Sequence, residues 1–173
     1  MPATQTQSSS KRRTSARKTT TQMDAIELLK ADHRQVEEWF EEFENTTAPS
    51  KKQKLADNIC LALKVHTQIE EEIFYPACRE AGVEDNMMDE ADVEHDGAKK
   101  LIAEIEAGEP GDDHWDARVT VLSEMIKHHV KEEEQRDGMF AKAKKSGLDL
   151  DELGEQLKAR KAELMKLKRN GRH

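Results

Sequence analysis

The sequence predicts an all-α protein: an up-down-up-down four-helix bundle with an extra C-terminal helix and a disordered basic N-terminal tail. Apolar residues recur at steps of three and four, glycine and proline separate the segments that carry them, and no segment alternates like a strand. Long helices joined by short loops favour the up-down-up-down arrangement. With 173 residues, 35% of them hydrophobic, the chain is long enough to enclose one core.

The predicted tail, residues 1–22, is rich in Ser, Thr and Gln and carries no acid. With almost no apolar side chains, it cannot offset the conformational entropy that folding costs. We interpret it as a solvated leader, since no aromatic or groove-reading element accompanies its charges, and nucleic-acid binding is not expected. Contact with nucleic acid or with an acidic partner by charge alone is the alternative. The basic residues are Lys11, Arg12, Arg13, Arg17 and Lys18.

The bundle itself is predicted over residues 23–145. Its first helix runs from Met23 to about Glu44, and its second from about Lys51 to Tyr75, where Pro76 ends it. On each apolar stripe a histidine fills a vacant position, His33 in the first helix and His66 in the second. The stripes are Ile26, Leu29, Val36, Phe40 and Phe43, then Leu55, Ile59, Ala62, Ile69 and Ile73.

Two further helices repeat this pattern. The third runs from about Asn86 to Ala107 around His95. The fourth begins at a start signal, Asp113 with an acid three residues on, and runs to about Lys144 around His129. Their apolar positions are Met88, Ala91, Ala98, Ile102 and Ile105, then Leu122, Met125 and Phe140.

Residues 146–173 form the predicted C-terminal helix and basic tail. Gly147 breaks the chain, and a helix from about Asp151 to Lys168 follows. Its charged faces and basic end predict that it packs on the outside of the bundle. Its apolar anchors are Leu153, Leu157 and Leu164.

Polar groups recur inside the apolar stripes, where they need a strong compensating interaction. A lone core histidine is usually a hydrogen-bonded residue, but one on each of four helices, with a glutamate one turn after two of them, predicts a metal site. A combination of imidazole and carboxylate suits iron, manganese or zinc. Four imidazoles and two carboxylates are more ligands than one tetrahedral zinc ion accepts. We therefore expect two iron ions, with manganese or zinc as the alternatives. The candidate ligands are His33, His66, Glu70, His95, His129 and Glu133.

These residues resemble the hemerythrin family, specifically the bacterial hemerythrin-like HHE cation-binding domains, over about residues 24–144. The matching stretches are Asp32-His33-Arg34, the run from His66 to Pro76, Glu94-His95-Asp96, and the run from His128 to Glu134. The resemblance implies His33 and His66 on one iron, His95 and His129 on the other, and Glu70 and Glu133 as bridges.

The chain departs from this pattern at one position. Oxygen-carrying hemerythrins have a further histidine one turn after the third-helix ligand, where this chain has Lys99, a cation and poor ligand. One iron is therefore expected to be more open or to use another group, which puts reversible oxygen carriage in doubt. The carboxylates that could substitute, although each is more simply a solvated charge, are Glu37, Glu71, Glu132 and Glu134, the last also a rival of Glu133.

The remaining distinctive residues are expected outside the metal site. His128 lies roughly 100° around the helix from His129 and should point to its flank. Surface positions are expected for His114 and His173, packing roles for Trp39, Phe74, Tyr75 and Trp115, and buried or half-buried thiols without a role for Cys60 and Cys78.

The leading functional hypothesis is a non-haem di-iron protein that binds or reacts with oxygen, peroxide or nitric oxide, for sensing, iron handling or protection from oxidants. The alternatives are a peroxide-decomposing or ferroxidase enzyme at the same centre, and a structural or regulatory interaction module. No apolar stretch is long enough for a membrane span and no apolar signal region precedes the bundle, so a cytoplasmic location is expected. The oligomeric state does not follow from the sequence.

Overall fold

A computed structural model of the chain describes residues 22–171 and shows only helices and connecting segments there. The all-α prediction is therefore confirmed for this range, whereas nearly all of the predicted tail lies outside the described residues. The helices are α1 (Ala25–Glu44), α2 (Pro49–Ile69), α3 (Tyr75–Glu80), α4 (Asp85–Ala107), α5 (Trp115–Glu134), α6 (Met139–Lys145) and α7 (Leu150–Asn170), with a π-helical turn, Glu70–Phe74, joining α2 to α3.

The bundle consists of α1, α2, α4 and α5, each packed against two of the others, in the order α1, α2, α4, α5 and back to α1. Two apolar clusters show the helix directions. One contains Leu29 near the start of α1 and Ile69 at the end of α2, and the other contains Phe43 near the end of α1 and Leu55 near the start of α2. Met88 at the start of α4 belongs to the first cluster, whereas Ile105 at its end and Trp115 at the start of α5 belong to the second. Consecutive helices therefore run in opposite directions, as predicted.

The predicted end of the second helix at Pro76 is wrong. The chain continues as a helix through Pro76, because the π-helical turn directly before it widens the backbone: the Tyr75 N–H donates to the Glu70 carbonyl, five residues back. Proline, which has no N–H to donate, then occupies the first turn of α3, where a missing donor costs little. This irregular turn lies beside the predicted metal site, a common position for π-helical turns.

The predicted fourth helix is also interrupted. Helix α5 ends at Glu134 and the chain turns before α6, so Phe140 reaches the core from a separate helix. The turn requires Gly138, since a Cβ there would lie 2.4 Å from the carbonyl oxygen of Glu132. The helix is predicted to start at Asp113, but α5 begins at Trp115. His114, in the left-handed conformation with φ of 66°, directly precedes it, and its side chain makes no capping hydrogen bond.

Helix α7 packs against α1, α2 and the π-helical turn, so its predicted position outside the bundle is confirmed. Its predicted anchors Leu153, Leu157 and Leu164 are all buried. Gly154 permits the close approach to α1, because a Cβ there would lie 2.6 Å from the Met23 carbonyl oxygen. Within residues 22–171, no helix combines the length and apolar character that crossing a membrane requires.

Candidate metal centre

Four histidines, one from each bundle helix, lie buried between the two apolar clusters. On α1, His33 lies between Leu29 of one cluster and Val36 of the other. On α4, His95 lies between Ala91 of the first cluster and Ala98 of the second. The exposed fractions are 2% for His33, 5% for His66, 2% for His95 and 5% for His129.

These histidines form two matching pairs. Nε2 of His33 lies 3.1 Å from Nε2 of His66, and Nε2 of His95 lies 3.2 Å from Nε2 of His129. In both pairs the ring centroids are 4.8 Å apart and the ring planes meet at 62°. The inner nitrogens of each pair therefore converge on a common point.

Two buried glutamates connect the pairs. Glu133 places Oε1 3.1 Å from Nε2 of His129 and Oε2 3.3 Å from Nε2 of His33. Glu70 places Oε1 2.6 Å from Nε2 of His66 and 3.9 Å from Nε2 of His95. Each follows a histidine of its own helix by four residues, which puts both side chains on one helix face. All six predicted residues thus meet at one place.

This donor set fits a metal cation. Among residues 22–171, both oxygens of Glu70 and Oε2 of Glu133 are buried without a hydrogen-bond partner, a costly arrangement for carboxylates that are 0% and 1% exposed. Burial alone lowers the pKa of His66, but the carboxylates of Glu70 and Asp32 raise it to about 10. The buried carboxylate oxygens and the raised pKa of His66 both indicate that this cluster strongly attracts positive charge.

The outer nitrogen of each histidine faces a second carboxylate. Nδ1 of His33 lies 3.0 Å from Glu134, and Nδ1 of His66 lies 3.1 Å from Asp32. The corresponding distances are 3.9 Å from His95 to Glu71 and 3.5 Å from His129 to Glu94. Carboxylates at hydrogen-bond distance orient imidazoles and raise their basicity as metal ligands, and this applies to Glu134 and Asp32. Glu71 and Glu94 face their rings across longer distances.

Each outer carboxylate in turn contacts a basic side chain. Glu134 is paired with Arg34, Asp32 with Lys161, and Glu71 with Lys99 at 2.6 Å. The fourth, Glu94, lies 3.8 Å from His128. Lys99, at the position where oxygen carriers have a histidine, therefore binds Glu71, the carboxylate that faces His95.

The alternative carboxylate ligands lie on the periphery. Glu134 contacts the outer nitrogen of His33, whereas Glu133 occupies the interior. Glu37 pairs with Arg34 at 3.3 Å, and Glu132 lies 3.2 Å from His128. His128 is 66% exposed, in agreement with its predicted flank position. His114 is exposed, and His173 lies outside the described residues.

Tyr75 is the site residue that the sequence interpretation missed. Its hydroxyl donates to Oε1 of Glu133 at 2.7 Å and lies 3.2 Å from Nε2 of His95. Burial and the charges of Glu133 and Glu70 raise the pKa of the phenol well above its usual value, so Tyr75 remains a proton donor. Spacing within a regular helix could not indicate this, because the π-helical turn sets the direction of Tyr75.

A small cavity of about 110 Å³ extends from the surface to this site. Its walls include Glu90, Glu94 and Glu132, and His129 and Glu133 of the site also line it. Small molecules or ions therefore have a space beside the buried ligand cluster. We call this space the acidic cavity.

A helical bundle with buried imidazoles and carboxylates converging in its core is a metal-binding bundle. Residues 24–142 match the hemerythrin HHE cation binding domain family, and the chain belongs to this family. The predicted family membership is therefore confirmed.

The chain is also similar to two individual proteins. A hemerythrin HHE cation binding domain-containing protein from Mycobacterium kansasii has a similar structure, with a TM-score of 0.69, 22% identity, and coverage of 83% of this chain and 88% of that one. A DNA nickase from Nostoc sp. is 30% identical over 112 residues, or 65% of this chain. The match spans only 32% of the nickase's length.

Proposed function

We propose that this protein is a hemerythrin-like non-haem di-iron protein that binds or reacts with oxygen or related small oxidants. The observation that carries the proposal is the convergence of four inner imidazole nitrogens and two buried carboxylates in one core layer, where three of the four carboxylate oxygens have no hydrogen-bond partner among the described residues. Reaction with an oxidant requires a redox-active metal, which favours iron over zinc among the ions that accept these donors.

Two ions account for the donors better than one. The ligand atoms form two overlapping groups, each with its atoms within 4.8 Å of one another, and Glu70 belongs to both. We assign His33 and His66 to one ion, His95 and His129 to the other, and Glu70 and Glu133 to both. The groups are His33, His66, Glu70 and Glu133, then Glu70, His95 and His129.

The bound irons would supply electron transfer to a small oxidant. The chain contributes a dry site, since the inner ligands are nearly inaccessible to solvent, and the acidic cavity admits only small species. Tyr75 holds a proton on its hydroxyl 2.7 Å from Oε1 of Glu133 and 3.2 Å from Nε2 of His95. The protein thus positions a donor for a reduced oxidant.

The Lys99 ion pair favours reactivity or sensing over reversible oxygen carriage. Lys99 binds Glu71 through contacts of 2.6 and 2.8 Å and does not supply a ligand where the carriers have histidine. One iron would therefore have an imidazole fewer than in a carrier. An open coordination position promotes direct reaction with the incoming oxidant.

Anaerobic loading with ferrous iron tests this proposal. We expect about two irons per chain and a change in the optical spectrum when air is admitted. The double variant His66→Ala with Glu70→Gln should lose iron, while the exposed control His114→Asn should keep it. Full iron content in the double variant would refute the assignment, and zinc retention without iron binding would refute a di-iron protein.

Peroxide decomposition is the second candidate, and the Tyr75 hydroxyl inside the site favours it. Tyr75→Phe removes one oxygen while keeping the ring that packs near His95. If peroxide is consumed, we expect the iron-loaded Phe variant to bind iron normally but to turn over peroxide more slowly. Turnover by wild type that His95→Ala leaves unchanged would exclude this centre as the catalyst. Counting the ferrous ions oxidised in air distinguishes a ferroxidase from an oxidant-binding protein and from a peroxide-decomposing enzyme.

DNA cleavage is not part of the proposal, because the activity in the name of the Nostoc relative belongs to a protein of which this chain spans about a third. An interaction role for the basic N-terminal residues also remains outside it, as residues 1–21 are not described. Incubation of the iron-loaded protein with supercoiled plasmid tests for DNA cleavage. If the plasmid is relaxed by wild type but not by the His66→Ala variant, DNA cleavage is an additional activity of this centre.

A further inference from the structure

A second group of metal-ligating side chains lies on the outer face of α4 and α5. Nε2 of His128 is 3.2 Å from Oε1 of Glu132 and 3.8 Å from Oε2 of Glu94. One ligand atom from each residue lies within 4.8 Å of the other two. We call His128, Glu94 and Glu132 the surface site.

The surface site is accessible to solvent. The exposed fractions are 66% for His128, 39% for Glu132 and 24% for Glu94. A cavity of about 400 Å³ opens beside these three residues, and its walls also include Asp89 and Glu90. Several carboxylates around one opening raise the local concentration of cations.

The surface site adjoins the acidic cavity. Glu90, Glu94 and Glu132 line both spaces, while His129 and Glu133 line only the inner one. Glu94 connects the two directly, because Oε1 lies 3.5 Å from Nδ1 of His129 and Oε2 lies 3.8 Å from Nε2 of His128. A continuous set of carboxylates therefore runs from the protein surface to the buried site.

Buried polar atoms form the inner end of this route. Within the described residues, Nδ1 of His129 and Oε2 of Glu133 have no hydrogen-bond partner, although Nδ1 lies 3.5 Å from Glu94 and Oε2 lies 3.3 Å from Nε2 of His33. Both residues line the acidic cavity, and they are 5% and 1% exposed. Polar atoms that are buried without a hydrogen bond favour a cation as their partner.

We propose that the surface site binds a divalent transition-metal ion and that this ion passes through the acidic cavity to the buried centre. One imidazole and two carboxylates form a ligand set that suits Fe²⁺, Mn²⁺ or Zn²⁺. Solvent exposure leaves room for several waters on the ion, so binding is weaker and exchange faster than inside. The uptake role depends on the proposed function of the buried centre, whereas binding at the surface site does not.

Equilibrium binding of Mn²⁺, followed by the electron paramagnetic resonance signal of the free ion, tests the surface site. We expect a weaker class of one ion beside the tight class in the full-length wild type. The double variant His128→Asn with Glu132→Gln removes two donors and should lose only the weaker class. Glu94 stays unchanged in this test, because it also contacts His129.

The matched control is His114→Asn with Glu124→Gln, which makes the same chemical changes at exposed positions outside both sites. The control should retain both classes of ion, and circular dichroism verifies that each variant folds. Absence of a weaker class in wild type, or its survival in the surface-site variant, would overturn the proposal. Loss of the tight class is instead expected for His66→Ala with Glu70→Gln, so failure of the two proposals is distinguishable.

Loading kinetics test the uptake role. Stopped-flow absorption of Co²⁺ reports the arrival of the ion among the buried imidazoles. We expect the surface-site variant to load on the order of tenfold more slowly than wild type, with the same final Co²⁺ content at the buried centre. The control variant should load at the wild-type rate. Equal rates in all three proteins would show that ions reach the centre by another route.

Discussion

Oδ2 of Asp32 lies 3.1 Å from Nδ1 of His66, on the side of the ring that faces away from the buried ligand cluster. The other oxygen of Asp32 accepts a hydrogen bond from Lys161 on α7. The C-terminal helix is thus connected to a candidate metal ligand through one carboxylate. A helix outside the bundle thereby contributes to the electrostatics of the candidate metal site.

Substitution of Asp32 should weaken metal binding without removing a ligand. Asp32→Asn leaves the shape of the residue but removes the charge that orients His66, and we expect metal affinity to fall about 10- to 100-fold. Lys161→Met should have a smaller effect in the same direction. Titration with Mn²⁺ measures both. Lys158→Met, an exposed change on the same helix, is the control, and an equal loss in it would contradict a specific role for Lys161.

Phe140 supports His33 by ring stacking, with centroids 5.8 Å apart and planes at 7°. Since Phe140 is 2% exposed, Phe140→Ala should decrease the free energy of unfolding by about 3 to 5 kcal/mol through the cavity it leaves. Phe140→Leu should cost less because it refills most of the volume. Chemical denaturation of the metal-free protein measures both. A similar stability for the two variants would show that the packing here is loose.

Gly154 should not tolerate a side chain. A Cβ would lie 2.6 Å from the Met23 carbonyl oxygen and 2.9 Å from the Ala25 nitrogen, so Gly154→Ala must displace α7 from α1. We expect a decrease in stability of about 1 to 3 kcal/mol.

Gly97→Ala is the matched control for that substitution. Its Cβ would meet only the terminal methyl group of Met125, at 3.0 Å, and this flexible side chain can move. Because alanine favours a helix interior over glycine by about 0.5 to 1 kcal/mol, this variant should be neutral or more stable. Thermal unfolding followed by circular dichroism compares the two. Destabilisation of Gly97→Ala as large as that of Gly154→Ala would contradict the close-approach argument.

Cys78 should be unreactive in the folded protein. Burial, together with the negative charges of Glu133 and Glu70, raises the pKa of its thiol to about 12, and its exposed fraction is 0%. At mildly alkaline pH little thiolate forms, and reagents cannot reach it. Labelling with a disulfide-exchange reagent should therefore follow global unfolding. Cys60→Ser isolates the signal of Cys78, and rapid labelling of this variant under native conditions would refute the prediction.

Metal removal should make stability depend on pH in a defined direction. The neighbouring carboxylates outweigh burial and raise the pKa values of both His66, to about 10, and His129. Because these values lie above that of an unfolded histidine, about 6.5, the protonated rings stabilise the metal-free fold below that pH. This contribution disappears as the pH rises through the folded-state pKa.

A metal ion requires neutral imidazoles and therefore competes with these protons. We expect Mn²⁺ to raise the Tm more at about pH 8 than at about pH 6, and to release protons on binding. Thermal scans with and without Mn²⁺, and an indicator dye in weakly buffered solution, measure the two effects. An increase in Tm that is independent of pH would contradict proton displacement from His66 and His129.

The period of the helices made much of the site predictable. His33, His66, His95 and His129 fall on the apolar stripes of their helices, and each stripe must face the core because burial of apolar area dominates stability. Glu70 and Glu133 follow one turn later and share those faces. The family motif extended this inference to the pairing of the histidines, which the observed distances agree with.

Irregular backbone made other features unpredictable. The π-helical turn directs Tyr75 into the centre and lets the helix pass Pro76, while the turn at Gly138 separates Phe140 from α5. Local propensity predicts a helix end at proline, but tertiary packing of the buried Tyr75 and Phe74 stabilises the continued helix.

The amino-acid sequence alone determined the helical class and the six inward-facing side chains, because these follow from side-chain periodicity within single helices, and its motifs indicated the family. Only the tertiary structure decided which carboxylate faces each outer nitrogen, that Lys99 binds Glu71, and that Glu94 joins the surface site to His129. These contacts cross between helices, so they depend on the axial stagger and rotation of packed neighbours, which the period of one helix does not specify.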